Sequence, residues 1–288
     1  MTAPLVRQAH DATNVLHALI YFAPEAEQHF TAAGLEPGRM CYFAGRSAPM
    51  GAVGAGVVTA TFYNFSPDLV AAAIPRAWQL AAPAAVLQAR FAAVDAALRR
   101  LLGPGLIAAP DLITLAGLVR AAASACTPEG RPLYAGHADL PWPDGGPHLD
   151  LWHALSLLRE HRGDGHVAAL TAAGLSGLEA LVTHTATGQG FTPEFAQASR
   201  GWAAADWDGA VAGLAARGLL DEAGALTTAG LEVRATVERD TDRMAAPPWR
   251  HLGDERTGQV IELGRQLSRA VVKAGAFPAA GVFARPRA

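Results

Sequence analysis

Lysine is almost absent from this 288-residue chain: Lys273 is the only one, and the other basic residues are arginine. Together with the abundance of alanine, this reads as genomic base composition rather than chemistry. Charged residues make up 17% of the chain and the formal net charge is −3. No excess of positive charge therefore favours nucleic-acid phosphate or an anionic membrane. Cys41 and Cys126 are the only cysteines, far apart and without CxxC or zinc-knuckle spacing. That argues against a disulfide scaffold or a Cys-rich metal site and fits a reducing compartment. No uncharged apolar run approaches the ~18 residues of a membrane helix; the most apolar stretch, 50–62, is short and glycine-rich. The N-terminal segment carries His10, Asp11 and Asn14 where a signal peptide would be apolar. The expected location is the cytoplasm, with no membrane partner. HExxH, Walker, nucleophile-elbow and paired-carboxylate signatures are missing as well. The sequence thus predicts no metal site and leaves any cofactor unknown.

What the chain does have is apolar residues, 51% of the total, which with its length predicts a folded protein with a sizeable core. It also has apparent internal repetition. His17-Ala-Leu19 recurs as His153-Ala-Leu155, and Thr31-Ala-Ala-Gly-Leu35 as Thr171-Ala-Ala-Gly-Leu175. Phe65-Ser-Pro-Asp68, followed by Trp78, recurs as Phe191-Thr-Pro-Glu194, followed by Trp202. Matches such as TAAGL arise by chance in an alanine-rich chain, whereas the aromatic and proline matches do not follow from composition. The seam LPWPDGGPH at 140–148 falls near the midpoint, as a linker would. The expected fold is mainly α: tandem duplicated winged-helix-like halves with a small β wing. The first half spans 1–142 and the second 147–288, with a winged helix at about 200–245.

Helix starts are legible at Pro24, at Ser66-Pro67-Asp68 and at Thr192-Pro193-Glu194, each with proline at the first helical position. Within the winged-helix segment, 206–217 would be the recognition-position helix and 218–226 the wing, with a further helix from Thr227. The motifs YFAGRSAPMG (42–51), FYNFSP (62–67), LREHRGDGHVAAL (158–170) and AARGLLDEAGALTTAG (215–230) resemble an actinobacterial family of MarR-like helix-turn-helix proteins. The resemblance covers nearly the whole length and implies a winged-helix fold more directly than an activity. A DNA reader needs basic side chains for phosphates and polar ones for base edges. Residues 200–245 carry five basic residues against eight acidic ones. DNA is therefore the less favoured partner, unless dimerisation assembles a basic surface from Arg90, Arg99 and Arg100.

Three clusters are candidates for chemistry. In REHRGDGH (159–166), Gly163 and Gly165 would let the backbone turn and bring Arg162, Asp164 and His166 together. His166 would act as general acid/base with Asp164 orienting it, while Arg162 and Arg46 anchor an anion and Glu160 is a further candidate ligand-binding residue. The structural alternative is a salt-bridge network in which Asp164 caps a helix and Arg162 pairs with Glu160. The second cluster, His10, Asn14, His17 and Tyr21, follows helical spacing and would line a pocket or hydrogen-bond between halves. The third places Tyr42, Arg46, Tyr63 and Asn64 around GAVGAG (51–56). That run misses the dinucleotide fingerprint, and close helix packing explains its glycines more simply.

These features predict a small-molecule-binding protein on a winged-helix scaffold, with its site between the halves, an anion among the candidate ligands and a second copy of the chain among the candidate partners. A non-redox acid/base enzyme is the leading form of that reading. The alternative is a ligand-responsive, DNA-binding regulator of MarR type.

Overall fold

The computed structural model describes residues 3–278, 282 and 283. In chain order the helices are α1 (Ala3–Ala18), α2 (Pro24–Ala32), α3 (Arg39–Ser47), α4 (Ala55–Phe62), α5 (Pro67–Ala73), α6 (Ala77–Leu80), α7 (Pro83–Ile107) and α8 (Pro110–Ala123). There follow α9 (Pro132–Ala138), α10 (Pro147–Ala172), α11 (Gly177–Ala186), α12 (Pro193–Arg200), α13 (Ala204–Ala216), α14 (Thr228–Leu252) and α15 (Asp254–Lys273). No strand forms among the described residues, so the fold is mainly α. The expected wing reduces to a single antiparallel bridge, Leu220 with Leu226. It closes a turn in which the Asp221 carboxylate accepts the Ala223 and Ala225 amides, each at 2.9 Å.

Proline sets many of the helix starts, because its missing N–H is one the first turn could not use anyway. Helices α2, α5, α7, α8, α9, α10 and α12 all open on one. Thr192 caps α12 through the Phe195 amide, and Ser176 with Glu179 forms a capping box on α11.

Contacts gather the chain into two compact units. One is drawn from Met1–Val53, Ala73–Gly165 and Asp242–Phe277, the other from Gly54–Ala72, His166–Thr241 and Pro278–Ala288. These interleaved stretches do not follow the division into 1–142 and 147–288. In the first unit α1 lies along α15, α15 meets α8, and α2 and α3 pack on α7. A single apolar core joins them around Leu16, Leu98, Leu115, Trp152 and Leu267. In the second unit α11 packs on α12 and α13.

The repeated TAAGL segments have a local explanation. At both, the glycine has positive φ, its amide reaches back to the threonine carbonyl, and the next leucine amide closes a longer bond to Phe30 or Leu170. This is the helix stop in which a left-handed glycine is followed by a buried apolar residue. It forms a third time at Gly218-Leu219, where the leucine amide bonds the Leu214 carbonyl at 2.9 Å. The motif is a stop signal that any helix here can use, so its recurrence does not require duplication.

The REHRGDGH segment is corrected by the structure. It does not turn but runs inside the unbroken α10, and neither Gly163 nor Gly165 has positive φ. Gly165 serves packing instead. A methyl group there would sit 2.9 Å from Arg131 Nη1 and 3.3 Å from Met244 Cβ, while one at Gly163 would meet nothing closer than 3.6 Å. Mid-helix glycine costs about 1 kcal/mol relative to alanine. Gly163→Ala should therefore raise the unfolding free energy by about 0.5–1 kcal/mol in urea titration. Gly165→Ala should lose that gain to the clash with Arg131. Destabilisation by both would return the segment to a turn.

Candidate functional site

The site grows from one acidic residue on the inner face of α10. Glu160 is fully buried and is met by two arginines. Arg46 from α3 donates Nε to Oε1 at 3.1 Å and Nη2 to Oε2 at 2.8 Å, and Arg159 donates Nη1 to Oε1 at 2.6 Å. Burial works against ionisation of Glu160, but Arg159 and Arg46 outweigh it and hold the carboxyl well below the usual range. Burial likewise opposes charge on Arg46, and Glu160 reverses that.

Arg90, from α7, has no carboxylate. It is 3% exposed and donates Nη1 to His137 Nε2 at 2.7 Å. The other His137 nitrogen, Nδ1, lies 2.9 Å from the Leu133 carbonyl, which can only accept. The proton is thus on Nδ1 and Nε2 receives the arginine. The Arg90 guanidinium also sits 4.8 Å from the centre of the Trp152 ring, and its Nη2 is buried without a partner. Burial lowers the pKa of Arg90.

Two more polar groups in this neighbourhood lack protein partners. The Tyr21 hydroxyl is buried and unbonded, as are both ring nitrogens of His17. His17 stacks on Trp152 with ring centres 5.2 Å apart and lies edge-on to Tyr21 at 5.7 Å. Burial first, then Arg159, holds its pKa well below the ordinary histidine value, so the imidazole is neutral. The result is a buried cluster with three guanidiniums, one carboxylate and neutral histidines.

Beside the cluster is a cavity of about 300 Å³, at the lower end of the range for small-molecule sites. Arg46, Arg90, Tyr21 and Tyr42 are among the residues that line it, with Phe22 and Phe30. Gly45 makes room for Phe30, whose ring would lie 2.4 Å from a Cβ at that position.

The structure brings together His17, Tyr21, Arg46 and Glu160, drawn from both sequence halves but all within the first compact unit. Tyr63 and Asn64 belong to the second unit. There the Tyr63 hydroxyl donates to the Leu175 carbonyl, and the Asn64 carbonyl accepts Trp202 Nε1 at 3.0 Å. Arg162, Asp164 and His166 are not assembled into a triad, because residues two apart on a helix face away from each other. Asp164 accepts the Tyr134 amide at 2.9 Å in the first turn of α9. Arg162 reaches Asp242 at 3.3 Å and His166 Nδ1 reaches Thr241 at 2.9 Å. Arg90 is the residue that sequence reasoning misplaced. Expected on a basic surface, it occupies the buried stripe of α7 with Val86, Ala93 and Ala97, and a charge at a core-periodic position was the available signal. Arg99 pairs with Asp95 and Arg100 with Glu25. Among the described residues no group of three or more His, Cys, Asp or Glu side chains could hold a metal ion, and no single helix is long and apolar enough to cross a membrane.

Compared with known proteins, the chain is matched over residues 6–278 by the model of a family described as a helix-turn-helix family. No curated protein and no solved structure matches it.

Breaking a buried ion pair on one side costs about 3–5 kcal/mol. Glu160→Gln should accordingly lower stability by about 3 kcal/mol in urea unfolding, since Arg46 and Arg159 both lose their carboxylate. A change under ~1 kcal/mol would refute the central role of Glu160.

Stability should also depend on pH. Burial pushes the pKa of His137 down to about 3 and those of His153 and His161 to about 4. Unfolding returns them to about 6.5, so the unfolded chain binds more protons between about pH 4 and 6.5 and stability rises with pH there. Asp164, raised to about 6 by burial, acts in the opposite direction between about pH 4 and 6. The unfolding free energy should increase from about pH 4.5 to 6.5, more gently in His153→Gln and more steeply in Asp164→Asn. Unchanged slopes in both variants would contradict these assignments.

Proposed function

The chain belongs to the helix-turn-helix family that matches it, and from that premise we propose a small-molecule receptor that binds an organic anion in the cavity bounded by α2, α3 and α7. The observation that carries this reading is the charge imbalance. Glu160 bonds Arg46 and Arg159 and acts on Arg90 only through space, while the direct contacts of Arg90 are a neutral histidine and an aromatic face. Buried charge without a bonded counter-charge is costly, and an anion entering the adjoining cavity would supply one.

The second unit supports a helix-turn-helix scaffold without DNA readout. We read α11, α12 and α13 with the Leu220–Leu226 bridge as a winged helix with a reduced wing. Its recognition-position helix, α13, is largely exposed, yet it presents alanine, glycine, Asp206 and Asp208. Just beyond its end, Arg217 pairs with Glu179 at 2.9 Å. Arg234 is buried and pairs with Glu238. Exposed Arg239 and Arg243 lie on α14 rather than α13, so the helix in the recognition position has no positive charge of its own to meet phosphate. An acid/base enzyme built on His166, Asp164 and Arg162 has less support, because Asp164 stands on the face of α10 opposite the other two.

A ligand-responsive regulator of MarR type is the second reading, favoured by the helix-turn-helix architecture itself. Two measurements separate the readings. In thermal-shift assays, small organic acids should raise the melting temperature and their neutral amides should not, an effect lost in Arg90→Met. Equal shifts by acids and amides would remove the anion receptor. In mobility-shift assays at low salt, a mixed-sequence 30-base-pair duplex should not be retarded. A salt-sensitive complex that Arg217→Ala abolishes would restore the regulator.

A further inference from the structure

Resting on that anion-receptor reading, we propose that the ligand is a monocarboxylic acid with a compact apolar body, bound carboxylate-inward against Arg90 and Tyr21. Donors and charges around one cavity carry this assignment. Of the two guanidiniums in its wall, Arg46 already spends Nε and Nη2 on Glu160 and directs Nη1 at the Tyr42 hydroxyl, 3.4 Å away. Arg90 keeps Nη2, and Tyr21 keeps its hydroxyl; both atoms are buried and without partners, and both residues line the cavity. One guanidinium arm and one phenol match the two oxygens and single charge of a carboxylate. A phosphate monoester brings three acceptor oxygens and close to two charges, more than these donors satisfy.

The remaining wall selects the body of the ligand. Phe22, Ala26 and Phe30 offer no hydrogen bond to a polar chain. The space of about 300 Å³ is at the lower end for small-molecule sites, which favours a short apolar body. Glu27, exposed and also lining the cavity, would repel a second acidic group, which disfavours dicarboxylates.

Isothermal titration of the full chain with hexanoate, adipate, hexyl phosphate and hexanamide tests the assignment. Hexanoate should bind at least tenfold more tightly than any of the other three, and affinity should rise from butyrate to hexanoate or octanoate and fall again at decanoate. Tyr21→Phe deletes a hydroxyl with no protein partner, so its melting temperature should match the parent while hexanoate affinity drops about tenfold. Arg90→Met should abolish hexanoate binding, with circular dichroism confirming that it is folded. Tighter binding of hexyl phosphate or adipate than of hexanoate would overturn the monocarboxylate while leaving the anion receptor in place. Hexanamide binding as well as hexanoate, or no heat with any probe at millimolar concentration, would overturn both. Unaltered hexanoate affinity in Tyr21→Phe and Arg90→Met would place the acid elsewhere and refute the proposed orientation.

Discussion

The first unit is organised around the Glu160 carboxylate. A carboxylate taken out of water loses several kcal/mol of solvation, and only well-placed positive donors restore it. Here two guanidiniums do so. One comes from the neighbouring position on the same helix, and the other from α3, 114 residues away in sequence. The bidentate bond to Arg46 fixes the approach of α3 to α10. With α3 held, Tyr42 and Gly45 take their places around the cavity. Removing the carboxylate would leave buried positive charge on both sides, so this interaction constrains its neighbours more tightly than any apolar contact could.

That constraint also decides the state of the histidines. With Glu160 already shared by two arginines, no carboxylate remains for His17 or His137, and burial beside positive charge keeps both imidazoles neutral. His137 serves as an acceptor for Arg90 because its other nitrogen donates to a backbone carbonyl. The ring of Trp152 then lies between an imidazole stacked on it and a guanidinium at 4.8 Å, an environment that tolerates positive charge without cancelling it. Each of these features leaves Arg90 buried without a hydrogen-bonded carboxylate.

The chain belongs to a helix-turn-helix family over nearly its whole length, and the Glu160 cluster lies within the first unit. A helix-turn-helix is a scaffold, and what it recognises depends on the side chains its exposed helix carries. In α13 these are small, apolar or acidic. Two arginines of this unit are engaged internally: Arg200 lies over the rings of Phe65 and Phe191, and Arg217 pairs with Glu179. Helix α13 itself carries no basic residue.

Local codes were legible in the sequence because they act over one helical turn. Proline at the first helical position and the Thr192 cap predicted helix starts, and abundant apolar residues with sparse charge predicted a mainly helical, well-filled core. The same local reading misjudged Gly163 and Gly165, since a glycine required by the nearby Arg131 side chain looks in sequence like one required by a turn. The helix-stop code accounts locally for the repeated TAAGL segments, whatever the origin of the two halves. His17, Tyr21, Arg46 and Glu160 were recognisable as polar groups in apolar surroundings, but not as one cluster. Arg90 was visible only as an arginine on an amphipathic helix. Sequence by itself determined the secondary structure and the residue types that would need partners. Only tertiary structure decided which partners they found, because pairing of buried charges depends on distances between helices far apart in the chain, and those distances are set by how the whole core packs.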